Sequence, residues 1–201
     1  MRFHLGPVPE DPEFDPEVDG WIRLREPRPG VLLRVAIPLG MLMAASLLFV
    51  WSLIVPFGGL SGSFSLTITL PGLLVATGAL IGFVLVHEAL HAVPAMLVGS
   101  LDGIVVGFWP RHLAPYVAYT GALSREAQLV SGVMPLVLLT GLPLALGIAI
   151  PAAVWWMVGL SVVNVLGSAA DLIMLGLIAR QVPRGATIRN QGFATWWRPA
   201  V

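Results

Sequence analysis

Two histidines and a glutamate lie within one helical turn of each other in His87-Glu88-Ala89-Leu90-His91, inside a strongly apolar stretch. On an α-helix, residues i and i+4 share a face, so His87 and His91 can hold one metal ion between them. Glu88 would then reach a water molecule at that metal. The HExxH pattern is a zinc-hydrolase signature. Ionisable groups at membrane depth are costly, so three of them together predict a functional site.

The composition predicts the environment of this motif. The chain has 201 residues, of which 57% are hydrophobic and 11% are charged, too apolar a mixture for one soluble core. We therefore expect an all-α integral membrane protein in a lipid bilayer. The chain has no cysteine, which leaves histidines and carboxylates as the strong metal ligands. Its zero net charge argues against a nucleic-acid partner.

Four apolar segments are long enough to cross a bilayer as helices. They are residues 31–56, 69–98, 128–150 and 152–179. Arginines precede the first segment, lie between the second and third, and follow the fourth, whereas the other two connections have none. The positive-inside rule then predicts that both termini and the central loop are cytoplasmic, and we expect a prokaryotic cell membrane.

This topology predicts three regions. Residues 1–30 form an acidic cytoplasmic tail, with seven of the eleven acids in the first 26 residues. Residues 31–180 form the four-helix domain, and residues 181–201 form a cytoplasmic C-terminal tail. In the central loop, residues 103–109 and 113–119 are short β-prone runs that could pair as a hairpin. Such a hairpin is either a structured connector or a strand edge that holds an extended substrate by β-augmentation.

A catalytic zinc usually takes three protein ligands, so the motif needs a partner elsewhere in the chain. Asp171 is the only acid within the fourth apolar segment. Asn164, Ser168 and Asp171 share one face of a continuous helix, and small neighbours would let another helix approach closely. Glu126, at the start of the third segment, is the alternative ligand, although a charge that favours the helix dipole is its commoner role.

The predicted depths of the HExxH motif and of Asp171 in the membrane favour Asp171 as the third ligand. His91 lies eight residues before Gly99, and Asp171 lies nine before Arg180. These separations correspond to about 12 Å and about 13.5 Å along a helix. Because both segments run in the same direction under the predicted topology, the two side chains should meet at a similar depth.

The motif HEALH together with the downstream NxxxSxxD resembles the small membrane proteins classed as zincin peptidases, over most of residues 20–195. The stretches 118–125 and 135–140 are also similar to the central segment of that family. More distantly, the chain resembles the site-2 proteases, which implies that His87, His91 and Asp171 bind zinc and that Glu88 activates water.

The chain departs from the site-2 protease pattern in its second motif. That family ordinarily has Leu-Asp-Gly and prolines after the asparagine, whereas here Leu172 follows Asp171 and Val165 follows Asn164. The Leu-Asp-Gly at 101–103 comes too soon after HExxH to be the same element. The departure makes the kinship with the small family the closer of the two.

These observations predict a zinc-dependent membrane endopeptidase with one zinc ion per chain and a membrane protein or peptide as substrate. Glu88 would be the catalytic base, and Asn164 and Ser168 would contact the substrate or the oxyanion, or Asn164 would orient Asp171. A zinc carrier or sensor without catalysis is the alternative function. A third possibility is a scaffold in which the polar cluster joins two helices without any metal.

Overall fold

The computed structural model describes residues 1–18, 20–55, 69–98, 101–112 and 114–200. The fold is mostly helical. Its α-helices are α1 (Pro29–Ile54), α2 (Leu70–Val98), α3 (Arg125–Leu136), α4 (Leu142–Ala149), α5 (Val154–Gly167) and α6 (Ala169–Gln181). In the described part, the spans 30–54, 70–98 and 125–149 are long and apolar enough to cross a membrane, and α5 with α6 makes a fourth if this bent pair counts as one.

The predicted helix bounds are close to those observed in the second span, and residue 56 of the first prediction lies outside the described residues. The third span begins earlier than predicted, at Arg125. The Ser124 hydroxyl accepts a hydrogen bond of 3.1 Å from the Ala127 N–H, and this N-cap fixes the start of the helix.

The third and fourth spans are interrupted, which the sequence analysis did not predict. A π-helical stretch, Val137–Gly141, joins α3 to α4. The fourth span bends by 47° between Gly167 and Ala169. Glycine and serine pairs are common at sharp kinks, and the bend falls at Gly167-Ser168. The expectation of one straight helix with Asn164, Ser168 and Asp171 on a single face was therefore wrong, because the first and last of these lie on different helices.

Two β-sheets lie outside the helices, so the all-α expectation was also wrong. The first sheet has the order β1 (Arg2–Leu5), β3 (Ile104–Trp109), β4 (Ala114–Tyr119), and the second has the order β2 (Ile22–Arg23), β7 (Ala194–Arg198), β6 (Thr187–Gln191), β5 (Ala122–Ser124). The antiparallel β3–β4 pair confirms the hairpin predicted in the central loop. The two tails contribute β1, β2, β6 and β7, for which the sequence analysis predicted no strands.

The strand pairing brings three distant parts of the chain to one end of the helices. β1 pairs with β3, β2 with β7, and β5 with β6. A salt bridge between Arg189 and Asp11 adds to this connection. The segment before α1, the loop after α2 and the segment after α6 therefore lie on the same side of the helical part.

Helix contacts place α2 beside α3 and β4, α3 beside α6, and α1 beside α5 and α6. Large apolar side chains are exposed along α1 and α2, including Leu42, Leu53, Leu74 and Val75. Apolar surface of this extent is typical of membrane contact. Between α3 and α6, a Cβ on Gly132 would come within 2.8 Å of the Leu175 side chain, so a larger residue at 132 would require Leu175 to shift.

A buried hydrogen bond joins α1 to α5. The Trp51 indole N–H donates to the Ser161 hydroxyl at 2.9 Å, and both side chains are buried. We expect Ser161→Ala to lower the free energy of unfolding by about 1 kcal/mol, because the indole N–H loses its acceptor. Thermal unfolding in detergent measures this. Ser46→Ala is the control, since the exposed Ser46 hydroxyl bonds only within its own helix. Equal thermal stability of the two variants would contradict a stabilising role for the hydrogen bond between Trp51 and Ser161.

Candidate metal centre

Three side chains from two distant helices converge at one point. His87 and His91 come from α2 and Asp171 from the first turn of α6. Asp171 Oδ2 lies 3.3 Å from His87 Nε2 and 3.5 Å from His91 Nε2. One ligand atom from each residue lies within 4.8 Å of the others, which makes this the one such group among the described residues. The centre is therefore assembled at the start of α6, just after the bend that separates this helix from α5.

The ring of His87 is oriented by Asn164 on α5. His87 Nδ1 lies 2.9 Å from Asn164 Oδ1. The Asn164 amide nitrogen donates to the Pro135 carbonyl and to the Thr140 hydroxyl, both at 3.0 Å. Because a carbonyl can only accept, these bonds fix which end of the amide faces His87. His87 Nδ1 must then be the donor, which in the neutral ring leaves the lone pair of Nε2 facing Asp171.

The ring of His91 is oriented by α3. His91 Nδ1 lies 2.8 Å from the Ser131 carbonyl, which can only accept, so Nδ1 carries the proton. The Ser131 hydroxyl donates back to the His91 carbonyl. Both histidines thus present Nε2 to the same point. Metal-binding histidines almost always donate their other ring N–H to a fixed acceptor in this way.

The donor set fits a zinc ion. With neutral rings, two nitrogen lone pairs and a carboxylate oxygen face one another, and only a cation or added protons make that arrangement favourable. The buried Asp171 Oδ2 has no hydrogen-bond partner. Ligand bonds of about 2.0 to 2.2 Å in tetrahedral geometry separate neighbouring ligand atoms by about 3.3 Å, which agrees with the distances to Asp171. His87, His91 and Asp171 would hold the ion, leaving a fourth position for water.

Glu88 lies beside this point and lines a cavity of about 340 Å³. Its Oε2 accepts a hydrogen bond of 3.4 Å from the Val117 N–H on β4. His91, Asp171 and residues 116–119 of β4 also line the cavity, and Asn190, Gly192 and Phe193 of the β6–β7 hairpin enclose it. The carboxylate of the HExxH glutamate therefore faces a space in which a peptide could meet the metal centre.

The other predicted site residues lie elsewhere. Asn164 and Ser168 are both 1% exposed, and neither lines the cavity. Asn164 lies behind His87, and the Ser168 hydroxyl at the bend has no hydrogen-bond partner. Glu126 is exposed on the first turn of α3, where it pairs with Arg125 at 3.6 Å, and it is not part of the metal-binding group.

Sequence reasoning missed Ser131, Pro135, Thr140 and Val117. The first three lie on the third span: Ser131 orients His91, and Pro135 and Thr140 orient His87 through Asn164. The sequence contained a signal for the role of Ser131. Pro135 follows Ser131 by four residues, and a proline leaves the carbonyl four positions earlier without its helical donor. No comparable signal marks Val117, since its contact with Glu88 depends on how β4 packs against α2.

The fold and the site define an apolar, mostly helical protein in which the two HExxH histidines and a distant aspartate form a group that could hold a metal ion. A family model described as "Putative zincin peptidase" matches residues 80–187, more than half of the chain. The chain belongs to this family, which indicates a metallopeptidase. The matched region runs from the HExxH helix to β6 and includes Asp171. No curated protein and no solved structure matches the chain significantly.

Proposed function

We propose that this protein is a zinc-dependent membrane endopeptidase, with one zinc ion per chain, that hydrolyses peptide bonds at or near the cytoplasmic edge of the bilayer. The observation that carries the proposal is the convergence of His87, His91 and Asp171 at one point, next to a cavity that Glu88, His91 and Asp171 line. The family match supports peptide hydrolysis, and the apolar spans support a membrane location.

The orientation in the membrane follows from the strand pairing and the arginines. The terminal segments and the central loop lie at one end of the helices, and these are the segments rich in arginine. We infer four spans, with α5 and α6 together as the fourth, and a cytoplasmic location for the sheets. The cavity then opens toward the cytoplasmic end, where water can reach it.

The outer edge of β4 provides a binding surface for an extended peptide. β4 is the last strand in its sheet, and no described strand pairs with this edge. The Val117 N–H points away from β3 toward Glu88. A substrate backbone that adds to β4 would run through the cavity past the metal centre, with its main-chain hydrogen bonds supplied by the strand.

In the proposed reaction, water attacks the scissile carbonyl carbon and the C–N bond breaks. Glu88 accepts a proton from the attacking water and delivers a proton to the leaving amine. Zinc, when bound, supplies Lewis acidity toward the carbonyl and makes water more acidic. Asn164 and Ser131 hold the two histidine rings with Nε2 toward the ion. The structure offers no support for the roles that the sequence suggested for Asn164 and Ser168 at the oxyanion, because neither residue lines the cavity.

Metal removal tests the proposed function. We expect the protein, reconstituted in vesicles with a membrane-protein extract, to generate new peptide N-termini that mass spectrometry detects in or beside apolar spans. Treatment with 1,10-phenanthroline should abolish these cleavages, because the ligand set has lost its ion. Added Zn²⁺ should restore them, and Mg²⁺, which prefers oxygen ligands, should not. Cleavage that persists in the chelated protein would exclude this mechanism.

A further inference from the structure

The third span approaches both histidines over one turn, from Ser131 to Pro135. Both residues are buried, and Pro135 is among the most deeply buried side chains of the protein. Ser131 contacts the ring of His91, and Pro135 contacts the amide that orients His87. The two halves of the HExxH motif are therefore supported from the same short stretch of backbone.

Pro135 explains why the Ser131 carbonyl is available. In a regular α-helix, this carbonyl would accept from the N–H of residue 135, but proline has no N–H. The carbonyl turns to His91 Nδ1 instead, at 2.8 Å. A buried carbonyl without a donor costs about 1–3 kcal/mol, so the histidine and the carbonyl satisfy each other.

The carbonyl of Pro135 itself has a second role. It accepts from the Asn164 amide nitrogen at 3.0 Å, next to the Thr140 hydroxyl on the π-helical stretch. These two acceptors turn Asn164 Oδ1 toward His87 Nδ1. Any residue at position 135 would carry this carbonyl, so the contact with Asn164 depends on the backbone position, whereas the bond from His91 to the Ser131 carbonyl depends on the proline itself.

We propose that Pro135 is a positioning residue of the metal centre, which frees the Ser131 carbonyl and so fixes the ring of His91 with Nε2 toward the point at which zinc would bind. This inference deepens the proposed function and rests on its zinc site, but it does not require that the protein cleaves peptides. A proline that served only to bend or fill the span would leave zinc affinity unchanged when replaced.

The test compares Pro135→Ala with Pro143→Ala in the full-length protein in detergent. Both prolines are buried in the same interrupted span, but Pro143 makes no described contact with the centre. Alanine at 135 restores an N–H that competes for the Ser131 carbonyl, and alanine is a good helix former, so the span should persist. Competition with a chromophoric chelator measures the Kd for Zn²⁺.

We expect Pro135→Ala to weaken zinc binding about tenfold or more and Pro143→Ala to change it by less than about threefold, as for loss of an outer contact. Equal affinities of Pro135→Ala and wild type would overturn the proposal for Pro135 alone. A wild-type protein that binds no zinc would overturn this proposal and the proposed function together.

A second measurement covers the case in which Pro135→Ala does not fold. In zinc-loaded wild-type protein labelled with ¹⁵N-histidine, the His91 Nδ1–H should be protected from exchange with solvent, because it is bonded to the Ser131 carbonyl. A protected proton supports the proposal. A His91 Nδ1–H that exchanges as fast as a solvent-exposed histidine would overturn it.

Discussion

Glu88→Gln is expected to lower the rate of peptide hydrolysis by at least about 10² to 10⁴-fold, the usual contribution of a general base. Glutamine has the shape of glutamate but cannot accept and return the proton of the attacking water. Its amide oxygen can still accept from the Val117 N–H, so the local structure should persist. The measurement is the rate of product formation in vesicles, together with zinc per chain, which should stay at the wild-type value.

Glu126→Gln is the matched control, since it makes the same chemical change on the exposed first turn of α3, outside the metal-binding group. We expect it to retain wild-type activity. The pair also separates the peptidase from the zinc carrier, because a transit site should respond mainly to loss of its ligands. If the Glu88→Gln protein hydrolysed peptides at the wild-type rate, Glu88 could not be the general base.

The second large effect is loss of the metal itself. His87→Ala and Asp171→Ala should each lower the affinity for zinc by more than about 100-fold, exceeding the loss expected when only an outer contact is removed. Each change deletes one of three converging ligand atoms. Zinc per chain, measured by elemental analysis of detergent-purified protein, should fall from one to near zero. Glu126→Ala should retain the ion.

Thermal unfolding distinguishes this result from the metal-free scaffold. A ligand that binds only the folded state at about 100 times its Kd stabilises it by about 2.7 kcal/mol, so zinc should raise the unfolding temperature of wild type but not of Asp171→Ala. In the scaffold interpretation, His87 and Asp171 form a salt bridge without metal. Folded, zinc-replete wild type without bound metal, and a destabilised His87→Ala, would favour that interpretation.

The positions of the helices could be predicted because long apolar runs have few alternatives in a membrane. The helix α2 was predicted as 69–98 and is observed as Leu70–Val98, so its apolar run was enough to predict where this helix begins and ends. The sheets could not be predicted in the same way. β2 has two residues, and it becomes a strand only because β7, far along the chain, pairs with it. Such a strand has no local signal.

The three residues that could hold a metal ion were predictable, but the contacts that orient them were not. HExxH is a local pattern, and an acid within an apolar span is conspicuous, so His87, His91 and Asp171 could be named together. The roles of Asn164 and Ser168 could not be assigned, because the bend at Gly167-Ser168 changes which way each side chain faces. Orientation of a ring by a backbone carbonyl, as at Ser131, is indicated in the sequence only indirectly, by the proline four residues later.

The order in which the chain is synthesised gives the β6–β7 hairpin a particular importance. The three ligand residues leave the ribosome before residues 187–198, and β2 must wait for β7 before it can pair. Asn190, Gly192 and Phe193 line the cavity, so a nascent chain that already contains all three residues of the metal-binding group still lacks part of the cavity lining. Synthesis of the metal-binding group thus precedes synthesis of the hairpin, which is the latest described element to contribute to the cavity.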